Sequence, residues 1–429
     1  MNPRRQTTPT PLRIAMVAAC PFPSMRGSQV LIRELAQGLA DRGHEVHLVT
    51  YPEGESMAAV RGIRVHRARR VRGAARREHW GWRRVLLDIS LARTLYRIVR
   101  EARIQVIHAH NYEAPVASFL VRWLTGVPVV YHSHNALSDE LAYYCAPGWR
   151  RRVAGVVGRM LDRQVPRRAD FSIALTDDLE SFLRSCGATA VAKVPPGSGL
   201  ALAATASDEG GRFAGKFVVM YTGNLDPYQD LEVLWSAFRT LLATVPESLL
   251  VVVTHEAQWS TRAGSALTEL VDAGSAQVIV APTFAVVRRA MASADVLVSP
   301  RQSWSGYPIK LLNYLAAGRA VVAAAGSAKG IVDGRNGLVF ANGDAAGLAA
   351  ALDRLAQNVP LRVRLGEQAQ AAIRAAVPGR RDIDQIEAIY AHVVGRAAGG
   401  RSMLRPAEET GARGLMTFPK DRISAASGE

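Results

Sequence analysis

The chain has 429 residues, 48% of them hydrophobic and 21% charged, and its 53 Lys and Arg against 37 Asp and Glu give a formal net charge of +16. This length is too great for one compact core and predicts two domains. The excess of cations favours anionic partners, namely nucleotide phosphates, nucleic acid or an acidic membrane surface. The three cysteines are far apart and lack metal-ligand spacing, which argues against a disulfide framework and a structural zinc site.

Neither a membrane span nor a signal peptide is expected. No apolar run approaches the roughly 18 residues that a spanning helix needs. The basic start of the chain is followed by an apolar stretch that is too short for the core of a signal peptide. We therefore expect a cytoplasmic protein, with any membrane contact peripheral and on the inner face.

The first half begins with an alternation of buried strands and helices. An apolar strand at 13–20 leads through a Pro- and Gly-containing loop into a helix with Leu31, Leu35 and Leu39 at every fourth position. The loop contains Gly27 and Ser28, and on its own it predicts no more than a tight turn.

The segment Arg61–Arg84 has an unusual composition. It holds ten Arg, one acidic residue, and Trp80 and Trp82 near its end. Arginines with interfacial tryptophans are typical of an anionic lipid surface, and they would also suit phosphate backbones. A solvated loop is the other interpretation. Since no nucleic-acid-binding motif accompanies the segment, nucleic acid is not an expected partner.

Two later strands end in polar residues. The polar end of IQVIHAHNY includes His110, and GVPVVYHSHN places His134 just past the next strand. Open α/β sheets form their sites at the carboxyl ends of parallel strands. Zinc is not expected there, because HAH and HSH lack Cys partners and the i, i+4 spacing of a helical site.

A stretch at 296–325 predicts a strand, a loop, a helix and another strand. Pro308 suits the first turn of the helix, and Lys310 falls within that turn. Helix N-termini in such βαβ units bind anions, so the sequence predicts a phosphate site. The alternative is that Lys310 is solvated on a surface helix.

The string SGYPIKLLNYLAAGRAVVA resembles the C-terminal signature of the retaining glycosyltransferases of family 4. In that signature two glutamates are separated by seven residues, and here Ser305 and Asn313 take their places. The resemblance implies that Asn313 holds the nucleotide ribose by hydrogen bonding. It also implies that Ser305, with Gly306 and Tyr307, lies against the donor sugar without a carboxylate.

Other motifs extend this resemblance over about residues 13–394. LAQGLADRGHEV is similar to the family's N-terminal motif, which implies that Gly27 and Ser28 reach the donor phosphates or the acceptor. The VPVVYHSH string implies that His134 orients the transferred sugar. Where the family has an Arg and a Lys clamping the diphosphate, this chain has Asn224 and Gln229. We hypothesise that Arg301 supplies the missing positive charge.

The resemblance implies a GT-B fold, in which two Rossmann-like, doubly wound domains face each other across a cleft. The predicted bounds are 13–195 and 213–378, with a terminal helix at 379–395 crossing back and a disordered tail at 396–429. The candidate catalytic residues are His134 and Lys310. The candidate substrate-binding residues are Gly27, Ser28, His110, Asn224, Gln229, Arg301, Ser305, Gly306, Tyr307 and Asn313.

The implied reaction moves a sugar from a nucleotide-diphosphate donor to a hydroxyl of a glycan or lipid-linked acceptor, with retention and without a metal or other cofactor. Two alternatives use the same fold. One is a catalytically inactive nucleotide-sugar-binding or assembly partner. The other is a nucleotide-sugar epimerase, which is less favoured because no matched pair of carboxylates is found in the sequence.

Overall fold

The computed structural model describes residues 10–23, 27–54, 62–71, 82–144, 148–197, 213, 215–376 and 381–402. The first half forms a sheet of seven strands, β1 (Arg13–Ala18), β2 (Glu45–Thr50), β3 (Ile63–Arg67), β4 (Val106–His110), β5 (Val129–Ser133), β6 (Phe171–Ala174) and β7 (Val191–Lys193). The strands are parallel, in the order β3-β2-β1-β4-β5-β6-β7.

Helices cover both faces of this sheet. They are α1 (Gly27–Asp41), α2 (Trp82–Glu101), α3 (Glu113–Thr125), α4 (Leu137–Tyr144), α5 (Trp149–Arg168) and α6 (Asp177–Ser185). Ile14 and Met16 of β1 pack toward α1, whereas Ala15 and Val17 pack toward α2 and α3. This division follows from the alternation of side chains along a strand.

The second half repeats the architecture. Its strands are β8 (Phe217–Thr222), β9 (Ser248–Thr254), β10 (Ala276–Val280), β11 (Val296–Ser299), β12 (Ala320–Ala324) and β13 (Leu338–Phe340). They are parallel in the order β10-β9-β8-β11-β12-β13. The helices are α7 (Leu231–Thr244), α8 (Gly264–Asp272), α9 (Phe284–Ala292), α10 (Ile309–Ala316), α11 (Ala345–Gln357) and α12 (Val359–Ala376). Two doubly wound halves confirm the predicted fold class.

A last helix, α13 (Arg381–Ser402), packs back onto the first half. Ile386 and Tyr390 are fully buried there, and Glu387 lies 3.0 Å from the buried His44. This helix continues to Ser402, past the end at 395 that was predicted for the terminal helix. The prediction of a disordered tail is wrong for 396–402, which continue the helix although they include two glycines. Residues 403–429 lie outside the described residues.

The Arg-rich segment contains regular structure. Ile63–Arg67 forms the edge strand β3, paired in parallel with β2, because Ile63 and Val65 alternate with polar side chains. The loop interpretation is thus wrong for these five residues. Residues 72–81, which include Trp80, lie outside the described residues. Across the described ranges, no helix is both long enough and apolar enough to cross a membrane.

Candidate functional site

Loops at the carboxyl ends of the two sheets contact each other. The start of α1 lies against α10, since a Cβ added at Gly27 would be 3.5 Å from Ile309 Cγ1. Lys329, after β12, pairs with Asp178 in the first turn of α6. The carboxyl ends of strands are where open α/β sheets bind ligands. The cleft between the two halves is therefore the candidate site.

Lys310 lies in the first turn of α10, as predicted, and joins two other predicted residues. Its Nζ donates a 2.7 Å hydrogen bond to Gln229 Oε1, and Gln229 Nε2 donates a 2.6 Å bond to Asn224 Oδ1. The ammonium also lies 4.1 Å from the centre of the Tyr221 ring. Burial and, secondarily, the positive charge of Arg301 hold the Lys310 pKa well below its usual value. A bound anion would relieve both effects.

Arg301 lies in the loop between β11 and α10. Its Nη2 donates a 3.1 Å bond to Ser303 Oγ, and its guanidinium lies 5.1 Å from the centre of the Tyr228 ring. A Cβ added at Gly306 would approach Nη2 to 2.6 Å, so glycine leaves room for this side chain. The Arg301 Nε atom is buried and donates to no group among the described residues.

Ser305 is fully buried, and it contacts a carboxylate from the other half of the molecule. Asp139 in α4 accepts hydrogen bonds from Ser305 Oγ at 2.6 Å and from Ser303 Oγ at 2.7 Å. The neighbouring Glu140 faces Arg301 and other carboxylates, and burial raises its pKa to about 7. Sequence reasoning missed both acids, and their only local signal was two adjacent acidic residues soon after a strand that ends in histidines.

His134 directly follows β5 and is almost entirely buried. Its Nε2 lies 3.1 Å from Nδ1 of His110, so the two predicted histidines are in contact. Behind them His108 Nε2 lies 3.0 Å from His132 Nδ1, and His108 Nδ1 lies 2.6 Å from the hydroxyl of Tyr390. Burial lowers the pKa of His134 to about 4 and that of His108 to about 3. The rings are therefore neutral at physiological pH.

Three of these rings could act as metal ligands. One nitrogen each from His108, His110 and His132 lies within 4.8 Å of the others. They converge because histidines two residues apart share a face of a strand, and because His110 pairs with His132 in the sheet. We expected no zinc because the histidines lack cysteine partners and the spacing of a helical site. That expectation stays a prediction.

The remaining predicted residues also lie at the cleft. Gly27 and Ser28 belong to the first turn of α1 rather than to the preceding loop, which corrects their predicted place. Asn313 is one helical turn beyond Lys310, and its buried Oδ1 accepts no hydrogen bond from the described part of the chain. Tyr307 comes just before α10, and burial raises its pKa to about 12, so the phenol is protonated.

Comparison with protein families gives matches in both halves. Residues 26–197 match the family described as glycosyl transferase 4-like domain, and residues 216–358 match glycosyl transferases group 1. The chain is 26% identical over 359 residues to a phosphatidyl-myo-inositol mannosyltransferase of Mycolicibacterium smegmatis, covering 82% of this chain and 86% of the relative. It is 28% identical over 378 residues to a D-inositol 3-phosphate glycosyltransferase of Pseudarthrobacter chlorophenolicus, covering 82% and 87%.

Solved structures support the fold. Sucrose-phosphate synthase from Thermosynechococcus elongatus superimposes with a TM-score of 0.74 at 16% identity, over 90% of this chain and 100% of the other. HepE from Anabaena, in complex with UDP and glucose, gives a TM-score of 0.66 at 16% identity, over 91% and 99%.

Proposed function

Because the chain belongs to the family-4 glycosyltransferases and acts in nucleotide-sugar glycosyl transfer, we propose that it retains the anomeric configuration of the transferred sugar and works without a metal. The observation that carries this proposal is the arrangement at the start of α10. Lys310, Gln229 and Asn224 form a hydrogen-bonded chain there, with the guanidinium of Arg301 nearby, at the cleft between the two halves.

The donor diphosphate binds at the start of α10. The N–H groups of the first turn and the helix dipole attract its phosphates, and Lys310 and Arg301 add two positive charges that partly replace the family's Arg and Lys pair. Asn313 lies one turn farther along, and its unsatisfied Oδ1 accepts a hydrogen bond from a hydroxyl of the ribose. A relative in fold, HepE, is in complex with UDP and glucose, which makes UDP-sugars the first donors to test.

The transferred sugar lies between Ser305 and His134. The family's first glutamate is absent, and the Asp139 carboxylate at 2.6 Å from Ser305 Oγ provides a negative group at the same place. Neutral His134 supplies one hydrogen bond from the first half, and His110 fixes the orientation of its ring.

Retention then proceeds without a protein nucleophile. As the bond between the sugar and the diphosphate breaks, the developing negative charge is stabilised by Lys310, Arg301 and the helix N-terminus. The leaving phosphate accepts the proton of the acceptor hydroxyl, and the new bond forms on the same face of the sugar. The role of the protein is therefore to position both substrates and to stabilise charge.

The acceptor is a glycan or a lipid-linked molecule. Two relatives are named for acting on phosphatidyl-myo-inositol and on D-inositol 3-phosphate. A phospholipid acceptor fits an enzyme that works in the cytoplasm at the membrane surface, so inositol phosphates and lipids carrying them are the first acceptors to assay.

The test measures nucleotide released from a panel of UDP- and GDP-sugars, with and without these acceptors. We expect release that depends on the acceptor, a product with the anomeric configuration of the donor by NMR, and rates unchanged by EDTA. Tight binding without turnover for every donor would instead indicate an inactive binding protein, and an inverted product would contradict retention. Loss of activity with EDTA would contradict metal independence and direct attention to His108, His110 and His132.

A further inference from the structure

One face of the first half exposes large apolar side chains to solvent. Helices α2, α3 and α5 cover this side of the sheet, and α3 packs between the other two. Isolated exposed apolar residues are common on protein surfaces, but contiguous patches mark sites of interaction. We call the outer surface of α3 and α5 the α3–α5 face.

On α3 the exposed apolar residues share one side of the helix. Val116, Leu120, Trp123 and Leu124 are 51%, 53%, 81% and 52% exposed. Their spacing of i, i+4, i+7 and i+8 defines a single stripe. The opposite side of the helix, with Ala114, is buried in the core. The stripe is thus additional to the apolar side chains that fold the protein.

The same pattern recurs on α5, over residues 149–160. Trp149, Val153, Val156 and Met160 are 70%, 52%, 59% and 54% exposed, at i, i+4, i+7 and i+11. The side of α5 that faces the protein packs against α4, where a Cβ added at Gly158 would lie 2.9 Å from Ser138 Cα. The helix therefore cannot turn its apolar stripe inward.

Exposed arginines lie along α5 beside its apolar stripe. Arg152, Arg159 and Arg163 flank the stripe at helical spacing, and Arg151 is exposed on the opposite side of the helix. The single acidic residue of α5, Asp162, is buried, and its carboxylate accepts hydrogen bonds from the backbone N–H groups of Leu137 and Ser138. Every charged side chain that α5 is described as presenting to solvent is consequently cationic.

We propose that the α3–α5 face docks on the surface of an anionic lipid bilayer. Tryptophan, valine, leucine and methionine side chains enter the boundary between headgroups and acyl chains, and the arginines contact lipid phosphates. This surface differs from the segment Arg61–Arg84, for which membrane contact stays a prediction from sequence. A second copy of the chain is a poor occupant, because a symmetric contact would place cationic helices against each other.

The inference extends the proposed function, because it places the enzyme where a lipid-linked acceptor would be. The site at the start of α10 is in the other half of the molecule, so substitutions on the α3–α5 face leave donor binding intact. Membrane docking and sugar transfer can therefore be measured separately.

The experiment measures co-sedimentation of the full chain with phosphatidylcholine vesicles, with and without phosphatidylglycerol. We expect binding to the anionic vesicles that weakens with added salt. Trp123→Asp combined with Val156→Asp should lower the partition coefficient by more than tenfold, because the inserted side chains become charged. Arg152→Glu and Arg159→Glu should each lower it at least about fivefold.

A matched control lies on the other half of the molecule. Val359 and Val363 of α12 are 51% and 52% exposed and also share one side of a helix. Val359→Asp with Val363→Asp should leave vesicle binding unchanged. Circular dichroism establishes that each variant is folded. Nucleotide release with a soluble acceptor establishes that each variant still transfers sugar.

Three results would overturn the proposal. They are equal recovery on neutral and anionic vesicles, unchanged binding of the Trp123→Asp, Val156→Asp variant, and a wild-type dimer in light scattering that the same variant abolishes. Vesicle binding without transfer would contradict only the proposed function. Transfer to a soluble acceptor without vesicle binding would contradict only the docking surface.

Discussion

Ser305 stands where the family-4 signature has a glutamate, and its hydroxyl donates to Asp139 from across the cleft. No local pattern could have predicted this contact, because the two residues are 166 positions apart in the chain. The association of Asn224, Gln229 and Lys310 was easier to anticipate. Asn224 and Gln229 lie in the connection that follows β8, and Lys310 lies in the first turn of α10. Sheet topology brings such segments together at the carboxyl edge of the strands.

If Asp139 replaces the missing glutamate, its carboxylate should be needed for donor turnover. We expect Asp139→Ala to lower kcat/KM for the donor by about tenfold to a hundredfold, since a hydrogen bond to a charged group contributes about 1.5–3 kcal/mol. Adding Ser305→Glu to this variant should restore much of the loss by returning a carboxylate to the signature position. Steady-state kinetics with varied donor measures both effects.

The control for this prediction is Asp178→Ala. Asp178 also bridges the two halves, through Lys329, and no described hydrogen bond joins it to Ser305. An equal loss of activity in both variants would mean that Asp139 acts only by holding the cleft closed, and it would contradict a direct role with the sugar.

Glu140 gives a prediction for stability against pH. Burial raises its pKa from 4.5 to about 7, so the folded state holds a proton that the unfolded state releases. The free energy of unfolding should therefore fall as the pH rises from about 4.5 to about 7, to the extent that Glu140 contributes. Urea denaturation of Glu140→Gln across this range should show a smaller fall than the wild type.

Glu101→Gln is a suitable comparison, because the Glu101 side chain is 63% exposed at the end of α2. It should follow the wild-type curve. If Glu140→Gln follows that curve as well, the pKa of the Glu140 carboxyl is not raised in solution.

At the scale of secondary structure, most strands and helices were predictable because apolar periodicity and turn residues mark them. The unit from β11 to β12 is an example, with α10 beginning directly after Pro308 and Gly318 in the left-handed region just beyond its end. The edge strand β3 was missed because its alternation is short and lies within an Arg-rich segment. The end of α13 was missed because Gly395 is a weak stop in a helix that packing stabilises.

The loop between β11 and α10 gives a prediction at this scale. Arg301 is held there by Ser303 and by the face of Tyr228, close to the first turn of α10. Arg301→Ala should weaken nucleotide-diphosphate binding by at least about 1–2 kcal/mol, because a charge-assisted hydrogen bond is lost. Isothermal titration calorimetry with the free nucleotide measures this change directly.

Arg335→Ala is the matched control, since Arg335 is an exposed arginine in a loop of the same half. Its nucleotide affinity should equal that of the wild type. Unchanged affinity in Arg301→Ala would show that this guanidinium does not compensate for the family's missing Arg and Lys.

At the scale of the whole molecule, α13 is the element that ties the end of the chain to its beginning. Five of its apolar side chains are buried in the core of the first half, namely Ile383, Ile386, Ile389, Tyr390 and Val393. Its polar side chains reach the same half, because Arg42 pairs with Asp384 and Tyr390 contacts His108. The fold of the first half therefore depends on residues at the far end of the sequence.

Shortening the chain tests this dependence. Full burial of each large apolar side chain contributes about 1.5–3 kcal/mol, so loss of all five approaches the entire stability of a typical domain, about 5–15 kcal/mol. We expect a chain that ends at 376 to melt at a much lower temperature by circular dichroism, with the first half becoming sensitive to protease. A chain that ends at 402 keeps α13 and should melt like the full protein. Equal melting temperatures for the chains ending at 376 and 402 would show that the first half folds without α13.

Tyr390→Phe separates packing from hydrogen bonding. The substitution keeps the ring in the core and leaves His108 Nδ1 without its partner. The loss of stability should therefore be about 1–3 kcal/mol.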